Sequence, residues 1–447
     1  MGKVKSVIKR TGSIVPFNEE RISNAIYRAA VAVGGRDKEK AASLAKQVID
    51  VIDEKYDEND KPQIEEIQDI VEKVLIENGH AKVAKEYILY REEAAQRRKK
   101  DSLHFSKPSE FIPWPRVWRS LNWAVDHGVH TIQSINERIK KGEFAHIVHE
   151  AESYYEDQLH TAADMIIERS DKLKMVMVSG PSSSGKTTTT LRLEKILKGK
   201  GMSFVPLVVD HYFYDLDLHP KDEFGDHDFE TPQALDLELI NEHLKKLAAG
   251  EEVKIPYYDF KEGKRYLDRT PIKVEENQVL LIDSLHGLYP KFSEQIPDEQ
   301  KFKLYLEPLL QMKRPEGEYI RWTDLRLIRR MLRDSVHRAY NPEQTLLHWH
   351  YVRSSEKRNI LPFCTSSDYT INTSMPYEVP LYRPLMLEKF LEWENKYKDD
   401  PLRLDAYERA ARVSKFLTAI EPVEDNSPVP GDSVLREFIG GSVLNLH

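Results

Sequence analysis

Residues Met175 to Thr190 read MVMVSGPSSSGKTTTT. Within them, Gly180-Pro181-Ser182-Ser183-Ser184-Gly185-Lys186-Thr187 fits the phosphate-binding spacing G-x-x-x-x-G-K-[ST]. An apolar run rich in Val and Met precedes the loop, and LRLEKILK follows it with helical periodicity. The residue types have a physical reason. Glycines let backbone N–H groups curl round phosphate oxygens at a helix N-terminus, where the helix dipole also favours negative charge. Gly180, Ser182, Ser183, Ser184, Gly185, Lys186, Thr187 and Thr188 are therefore expected to cradle ATP. Lys186 would reach the outer phosphates, and the Thr187 hydroxyl would hold Mg²⁺.

Beyond the loop helix, strands and helices alternate, which predicts an α/β fold with a parallel sheet flanked by helices. Ligands in such sheets sit past the carboxyl ends of the strands. FVPLVVD ends at Asp210 and QVLLID ends at Asp283. Asp210 is expected to orient or deprotonate an attacking hydroxyl, and Asp283 to fix Mg²⁺ directly or through its water. Either could instead cap the following helix. Further on, Trp322 to Arg338 reads WTDLRLIRRMLRDSVHR, with Arg326, Arg330 and Arg333 at i, i+4 and i+7 and Arg329 close by. Such a face of guanidiniums suits bidentate capture of phosphate oxygens, with Arg333 placed to stabilise charge during transfer. The alternative is a solvated basic face.

The composition limits what can surround this centre. A chain of 447 residues suggests two or three domains at roughly 150 residues each. With 40% hydrophobic and 31% charged residues and a net charge of -8, it lacks the basic excess of a nucleic-acid binder. Cys364 is the only cysteine, which excludes an intramolecular disulfide framework and fits a reducing compartment; it is expected to be an inert buried thiol. MGKVKSVIKR has no apolar signal core and no apolar run approaches membrane-spanning length. A cytoplasmic protein with neither nucleic acid nor membrane as partner is expected, and a homo-oligomer.

Four segments follow from the pattern. Residues 1–98 open with a basic strand (Val4 to Arg10), a Gly12 turn and Val15-Pro16-Phe17, followed by helices whose apolar residues recur at three and four. Through Val7-Ile8-Lys9-Arg10-Thr11-Gly12, Phe17, Asn18, Arg21 and Ile22 the segment resembles the ATP-cone, a small regulatory nucleotide-binding domain. That resemblance implies a second nucleotide site lined by Lys9, Arg10, Asn18 and Arg21, although Thr11 stands where the family usually has Asp. Residues 99–172 read as a helical linker region in which Trp114, Trp118, Trp123, Tyr154 and Leu159 are expected to pack inward. Residues 381–447 read as a helical extension and a tail, whose Ile439-Gly440-Gly441-Ser442 could form a turn touching the phosphate site.

The segment 173–380 resembles the uridine kinase and phosphoribulokinase family of P-loop kinases. Four blocks carry the likeness in order: GPSSSGKTT; VVDHYFYD; HDFETPQALDLELI with VKIPYYDF; and RLIRRMLRDSVHR. The resemblance implies that Asp210 is the catalytic base. It also implies that Tyr212, Glu230 and Tyr258 lie on the acceptor side, and that the Arg326 to Arg338 region forms a lid, with Arg329 over ATP and Arg326 and Arg338 over the acceptor. Three positions depart from the pattern: Glu230 stands for an Asp that binds ribose hydroxyls, Gly263 for a base-reading His, and Asp283-Ser284 for Glu-Gly. Two function classes are left open. One is an ATP-dependent kinase of a small hydroxyl compound, most readily a nucleoside, regulated at the cone. The other is a nucleotide sensor that uses a kinase-like module without fast chemistry.

Overall fold

The computed structural model describes residues 3–8, 14–33, 35, 37–58, 60–88, 111–220, 229–337, 341–400 and 403–445. The chain divides into two compact units: Met1–Ser109 with Tyr397–Leu404, and Glu110–Lys396 with Asp405–His447.

In the first unit, β1 (Ser6–Ile8) pairs antiparallel with β2 (Ile14–Pro16). Helices α1 (Glu19–Ala32), α2 (Lys38–Lys55) and α3 (Ile64–Glu77) follow, and residues 81–88 are helical. Asp37 caps α2, its carboxylate accepting from the Lys40 N–H at 2.9 Å. Leu44, Val48 and Ile52 of α2 recur every four residues and meet Ile67, Val71 and Leu75 of α3 and Ile22 and Ile26 of α1. Each such fully buried side chain contributes roughly 1.5–3 kcal/mol, which is what holds a unit of this size together. Asn18 directly precedes α1 and Arg21 lies in its first turn, both exposed, whereas Lys9 and Arg10 lie outside the described residues.

The second unit holds a five-stranded parallel sheet. Its strands are β3 (Met175–Ser179), β4 (Ser203–Val208), β7 (Gln278–Ser284), β8 (Lys301–Glu307) and β9 (Tyr369–Asn372), in the order β4-β7-β3-β8-β9. Helices cover it, so β3 at the centre is buried on both faces and reads as a continuous apolar run. The alternation of strand and helix is not strict: β7 leads to β8 through 3-10 turns alone, and among the described residues β5 (Val253–Asp259) and β6 (Lys264–Ile272) pair with each other, antiparallel, outside the parallel sheet.

Among the described residues of this unit, α4 (Trp114–Asp126), α5 (Ile132–Lys140) and α6 (Phe144–Ile167) precede the sheet. Tyr155 of α6 hydrogen-bonds Thr189 of the loop helix α7 (Lys186–Gly199) at 2.7 Å. The expectation for the linker aromatics is only partly met. Trp123 stacks on Tyr154 and Leu159 is fully buried, but Trp114 and Trp118 are 49% and 63% exposed. The buried face of α4 is Arg116, Ser120 and Ala124. That four-residue spacing turns position 118 to the opposite side. Cys364 is buried with its thiol donating to the Phe111 carbonyl, and burial pushes it up to about 12, as an inert thiol requires.

Further helices of the unit are α8 (Leu237–Ala248), α9 (Trp322–His337), α10 (Pro342–Asn359) and α12 (Leu404–Ala419). α11 (Glu378–Tyr397) precedes α12, and a one-turn helix, α13 (Arg436–Ile439), lies in the tail. Among the described residues no helix is long and apolar enough to cross a membrane.

Candidate active site

The loop between β3 and α7 lies at the carboxyl edge of the sheet, and its glycines are required by contact. A Cβ on Gly180 would come within 2.3 Å of the Leu306 carbonyl oxygen, and Gly185 has φ +85°. Ser183 also adopts positive φ, +59°. A non-glycine residue held there is a local strain of the kind found where a loop is shaped for a ligand. The Ser183 and Ser184 hydroxyls are buried without a hydrogen-bond partner among the described residues. A buried polar group left unpaired is costly, and phosphate oxygens would satisfy both. On this observation the loop fits the polyphosphate of ATP.

The sheet registers bring the acidic residues to the same edge. Val178 pairs with Asp283, and Asp283 pairs with Val208, two residues before Asp210. Thr187 Oγ1 stands 3.4 Å from Asp283 Oδ2, the separation of two groups that could share a hard cation. Burial pushes Asp283 up to about 6; Lys186 opposes the rise, and Glu437 and Asp210 add to it. Burial lowers Lys186, whose charge is supported by Asp283 and Glu437. Among the described residues, the Lys186 ammonium donates a long 3.4 Å contact to the Pro181 carbonyl. Asp210 sits exposed in a 3-10 turn, Val209–Tyr212, where a solute hydroxyl can approach it.

The arginines of α9 depart from the expected common face. Arg326 and Arg329 are fully buried. Arg326 forms a two-point ion pair with Glu356, at 2.5 and 2.7 Å, and donates to the Ser182 carbonyl at 3.1 Å. Arg329 pairs likewise with Glu378, at 2.7 and 3.0 Å, and donates to the Thr373 carbonyl. Both act on the protein, bracing the loop and its surroundings, so the expected roles of Arg329 over ATP and Arg326 over the acceptor are corrected. A guanidinium without exposure needs a carboxylate partner, and Glu356 and Glu378 supply it from α10 and α11. Arg330 reaches the loop, 3.3 Å from Ser182 Oγ, while paired with Glu230 at 2.9 Å. Arg333 lies 3.9 Å from Glu437 and contributes to the field at Lys186. Arg338 lies outside the described residues.

On the acceptor side, Tyr212 is a second correction. It is fully buried in the core, its hydroxyl 2.8 Å from His243 Nδ1, and cannot face a solute. Tyr258 packs against Phe213, His219 and Phe260, with its hydroxyl buried and without a partner among the described residues. Gly263 closes the β5–β6 hairpin at φ +65°, and a Cβ there would stand 2.9 Å from Leu216. A histidine at that position would be strained and would collide with its neighbour.

Several residues at the site carry no local sequence signal. Thr373, just past β9, donates to the Ser184 carbonyl at 2.6 Å. His286 is buried near Lys186; burial, with Lys186 adding, pushes it down to about 4, so its imidazole is neutral. Glu437 of α13 accepts a 2.9 Å hydrogen bond from Thr188. The tail thus does touch the phosphate loop, through Val434 and Glu437 rather than through the Gly440-Gly441 turn.

Comparison with known proteins agrees with this geometry. The sequence model described as "ATP cone domain" matches residues 5–96, and that of the "Phosphoribulokinase / Uridine kinase family" matches residues 175–378. The chain is 30% identical over 165 residues to a uridine kinase of Bacillus pumilus, covering 37% of this chain and 69% of that protein. It is 28% identical over 180 residues to a uridine kinase of Deinococcus deserti, covering 40% and 77%. The N-terminal part is 38% identical over 105 residues to a vitamin B12-dependent ribonucleoside-diphosphate reductase of Thermoplasma acidophilum, covering 22% of this chain and 13% of that protein. The chain belongs to the phosphoribulokinase and uridine kinase family of P-loop kinases, with an ATP cone domain ahead of its kinase fold.

Proposed function

We propose that this kinase transfers the γ-phosphate of ATP to a hydroxyl of a nucleoside. The observation that carries the reading is the convergence, at one sheet edge, of two loop hydroxyls without partners among the described residues, Lys186, the Thr187–Asp283 pair and the solvent-exposed Asp210. A pure nucleotide sensor has no need of a positioned base. ATP with Mg²⁺ supplies the transferable phosphoryl group and the charge neutralisation. The loop N–H groups, Ser183 and Ser184 bind and orient the phosphates, Lys186 and Arg333 draw the negative charge that spreads over the transferred group, and Thr187 and Asp283 hold the cation. Asp210 accepts the proton of the attacking hydroxyl, a role worth roughly 10² to 10⁴ in rate. The cone is read as a second, regulatory nucleotide site.

Two observations favour a related reading, a kinase of a non-nucleoside sugar or alcohol. Gly263 offers no side chain where the family pattern has a base-reading one, and the Glu230 carboxylate is engaged by Arg330. A site without a hydrogen-bonding group for the base loses discrimination steeply. ATP consumption measured against nucleosides, ribulose 5-phosphate, pantothenate and other small alcohols separates the two. Nucleoside-dependent turnover supports the first reading, and turnover only with another alcohol replaces it by the second.

A further inference from the structure

The tail after α12 forms part of the phosphate site. Val429, Ser433, Val434, Leu435 and Phe438 are all buried to within 2%. Ser433 Oγ is 2.5 Å from Glu152 of α6 and 3.0 Å from the Tyr377 hydroxyl, and the Phe438 ring lies 5.0 Å from the Arg329 guanidinium. Arg436 donates to the carbonyls of Asn426 and Val429 and so fixes the approach of the tail. A segment held this firmly is a wall. Val434 fills the space that a side chain at Gly185 would need, since a Cβ there would stand 2.3 Å from its Cγ2.

This anchoring presents one carboxylate to the loop. Glu437 is 4% exposed. One of its oxygens accepts from Thr188 Oγ1 at 2.9 Å, and the other lies 3.9 Å from Arg333 Nη1. Thr188 is fully buried one residue after Thr187, and Arg333 reaches the site from α9. A negative group beside Lys186 opposes a polyphosphate by Coulomb repulsion. Its presence in a phosphate site therefore calls for a compensating gain, and the geometry names one: the carboxylate holds the Thr188 hydroxyl by a hydrogen bond and draws the Arg333 guanidinium, whose Nε lies 3.4 Å from Asp334, toward the loop by charge. We propose that Glu437 is a positioning residue for phosphoryl transfer, holding the Thr188 hydroxyl by a hydrogen bond and drawing Arg333 toward the loop by charge, so that the segment around α13 is part of the kinase site. The inference rests on the kinase reading above.

Deleting the tail would bare the core that Val434, Leu435 and Phe438 cover, so the test is Glu437→Gln in the full chain. The amide keeps the shape and an oxygen acceptor for Thr188 but loses the charge that draws Arg333. Expected are an unchanged melting temperature, ATP binding by calorimetry as tight as the parent's or tighter, and kcat lowered at least tenfold. Misplacing a group by about 1 Å can cost on the order of 10². In an Arg333→Ala background the same substitution should cost almost nothing further, because the group it positions is gone. A merely structural Glu437 would instead lower stability and ATP affinity together. Unchanged kcat, or losses that multiply with those of Arg333→Ala, overturns the proposal, as does a rise in kcat, which would make the tail a brake. Failure of the kinase reading is visible separately, as a parent whose turnover Lys186→Ala does not change. In that case tighter ATP binding by Glu437→Gln without any kcat effect also overturns the positioning role.

Discussion

Replacing Arg326 by Met separates a lid arginine from a structural one. Arg326 is fully buried and its two terminal nitrogens meet both oxygens of Glu356, itself 1% exposed. Although burial pushes Glu356 upward, Arg326 and then Arg353 hold its carboxyl below the usual range. Removing one partner of a buried pair typically costs about 3–5 kcal/mol, because the other charge is left uncompensated. Arg353 still contacts Glu356 and places the loss toward the lower end, about 3 kcal/mol. At roughly 2 °C per kcal/mol for a large domain, the melting temperature should fall by about 6 °C. The sign with pH follows from the depressed carboxylate. Its contribution is fully present above the ordinary carboxylate pKa of 4.5 and is lost as pH falls below it, so parent and variant should converge in acid. Arg326→Met combined with Glu356→Met should recover most of the loss, since two apolar groups can replace a buried ion pair at little cost. Differential scanning calorimetry on the three proteins is the assay. A single variant that melts with the parent and is impaired only in turnover would refute the bracing role and return Arg326 to the ligand.

The remaining predictions concern the ligands. Asp210→Asn should lower turnover by roughly 10² to 10⁴ while calorimetry still finds ATP bound; unchanged turnover would leave Asp210 a turn residue. Asp283 should be a local destabiliser of the metal-free protein. Its folded value of about 6 lies above the ordinary 3.8, so the penalty appears as pH rises through that window and is complete above it. Some of its side chain remains accessible, so the roughly 3 kcal/mol implied by the shift is an upper limit. In EDTA, Asp283→Asn should melt higher than the parent at pH 8 and equal to it at pH 3.5, while losing turnover with Mg²⁺; a lower melting point at pH 8 would contradict the burial argument. With the kinase site silenced by Lys186→Ala, the full chain should still bind one nucleotide, lost with Lys9→Ala and Arg10→Ala together; no binding there would leave residues 1–98 a structural domain.

What the sequence made legible was local. The phosphate loop was readable because its function lies in an unbroken run, Gly180 to Thr187, flanked by a strand and a helix whose periodicities differ. Asp210 and Asp283 were readable because an apolar run ending in a carboxylate has a fixed place in a parallel sheet. The partners of the arginines were not. Glu356 lies 30 residues from Arg326 and Glu378 lies 49 from Arg329, and nothing in either spacing marks a pair. Helical spacing placed four guanidiniums together without saying which would be buried. Glu437, 249 residues from Thr188, is further still beyond reach of any pattern. Tyr212 shows the reverse failure: it stands beside Asp210 in sequence, yet the 3-10 turn sends its ring inward to His243. Trp118 stands on the outward face of its helix because three small or polar residues, not the indoles, face the sheet.

The central claim is that this site moves phosphate from ATP to a nucleoside hydroxyl. Its most direct test is mass spectrometry of the products formed by the full chain with ATP, Mg²⁺ and a panel of nucleosides, run beside Lys186→Ala. The account predicts one nucleoside monophosphate formed for each ADP released, with both abolished in the variant. ADP released without any phosphorylated nucleoside, or equal product from the parent and the variant, would contradict it.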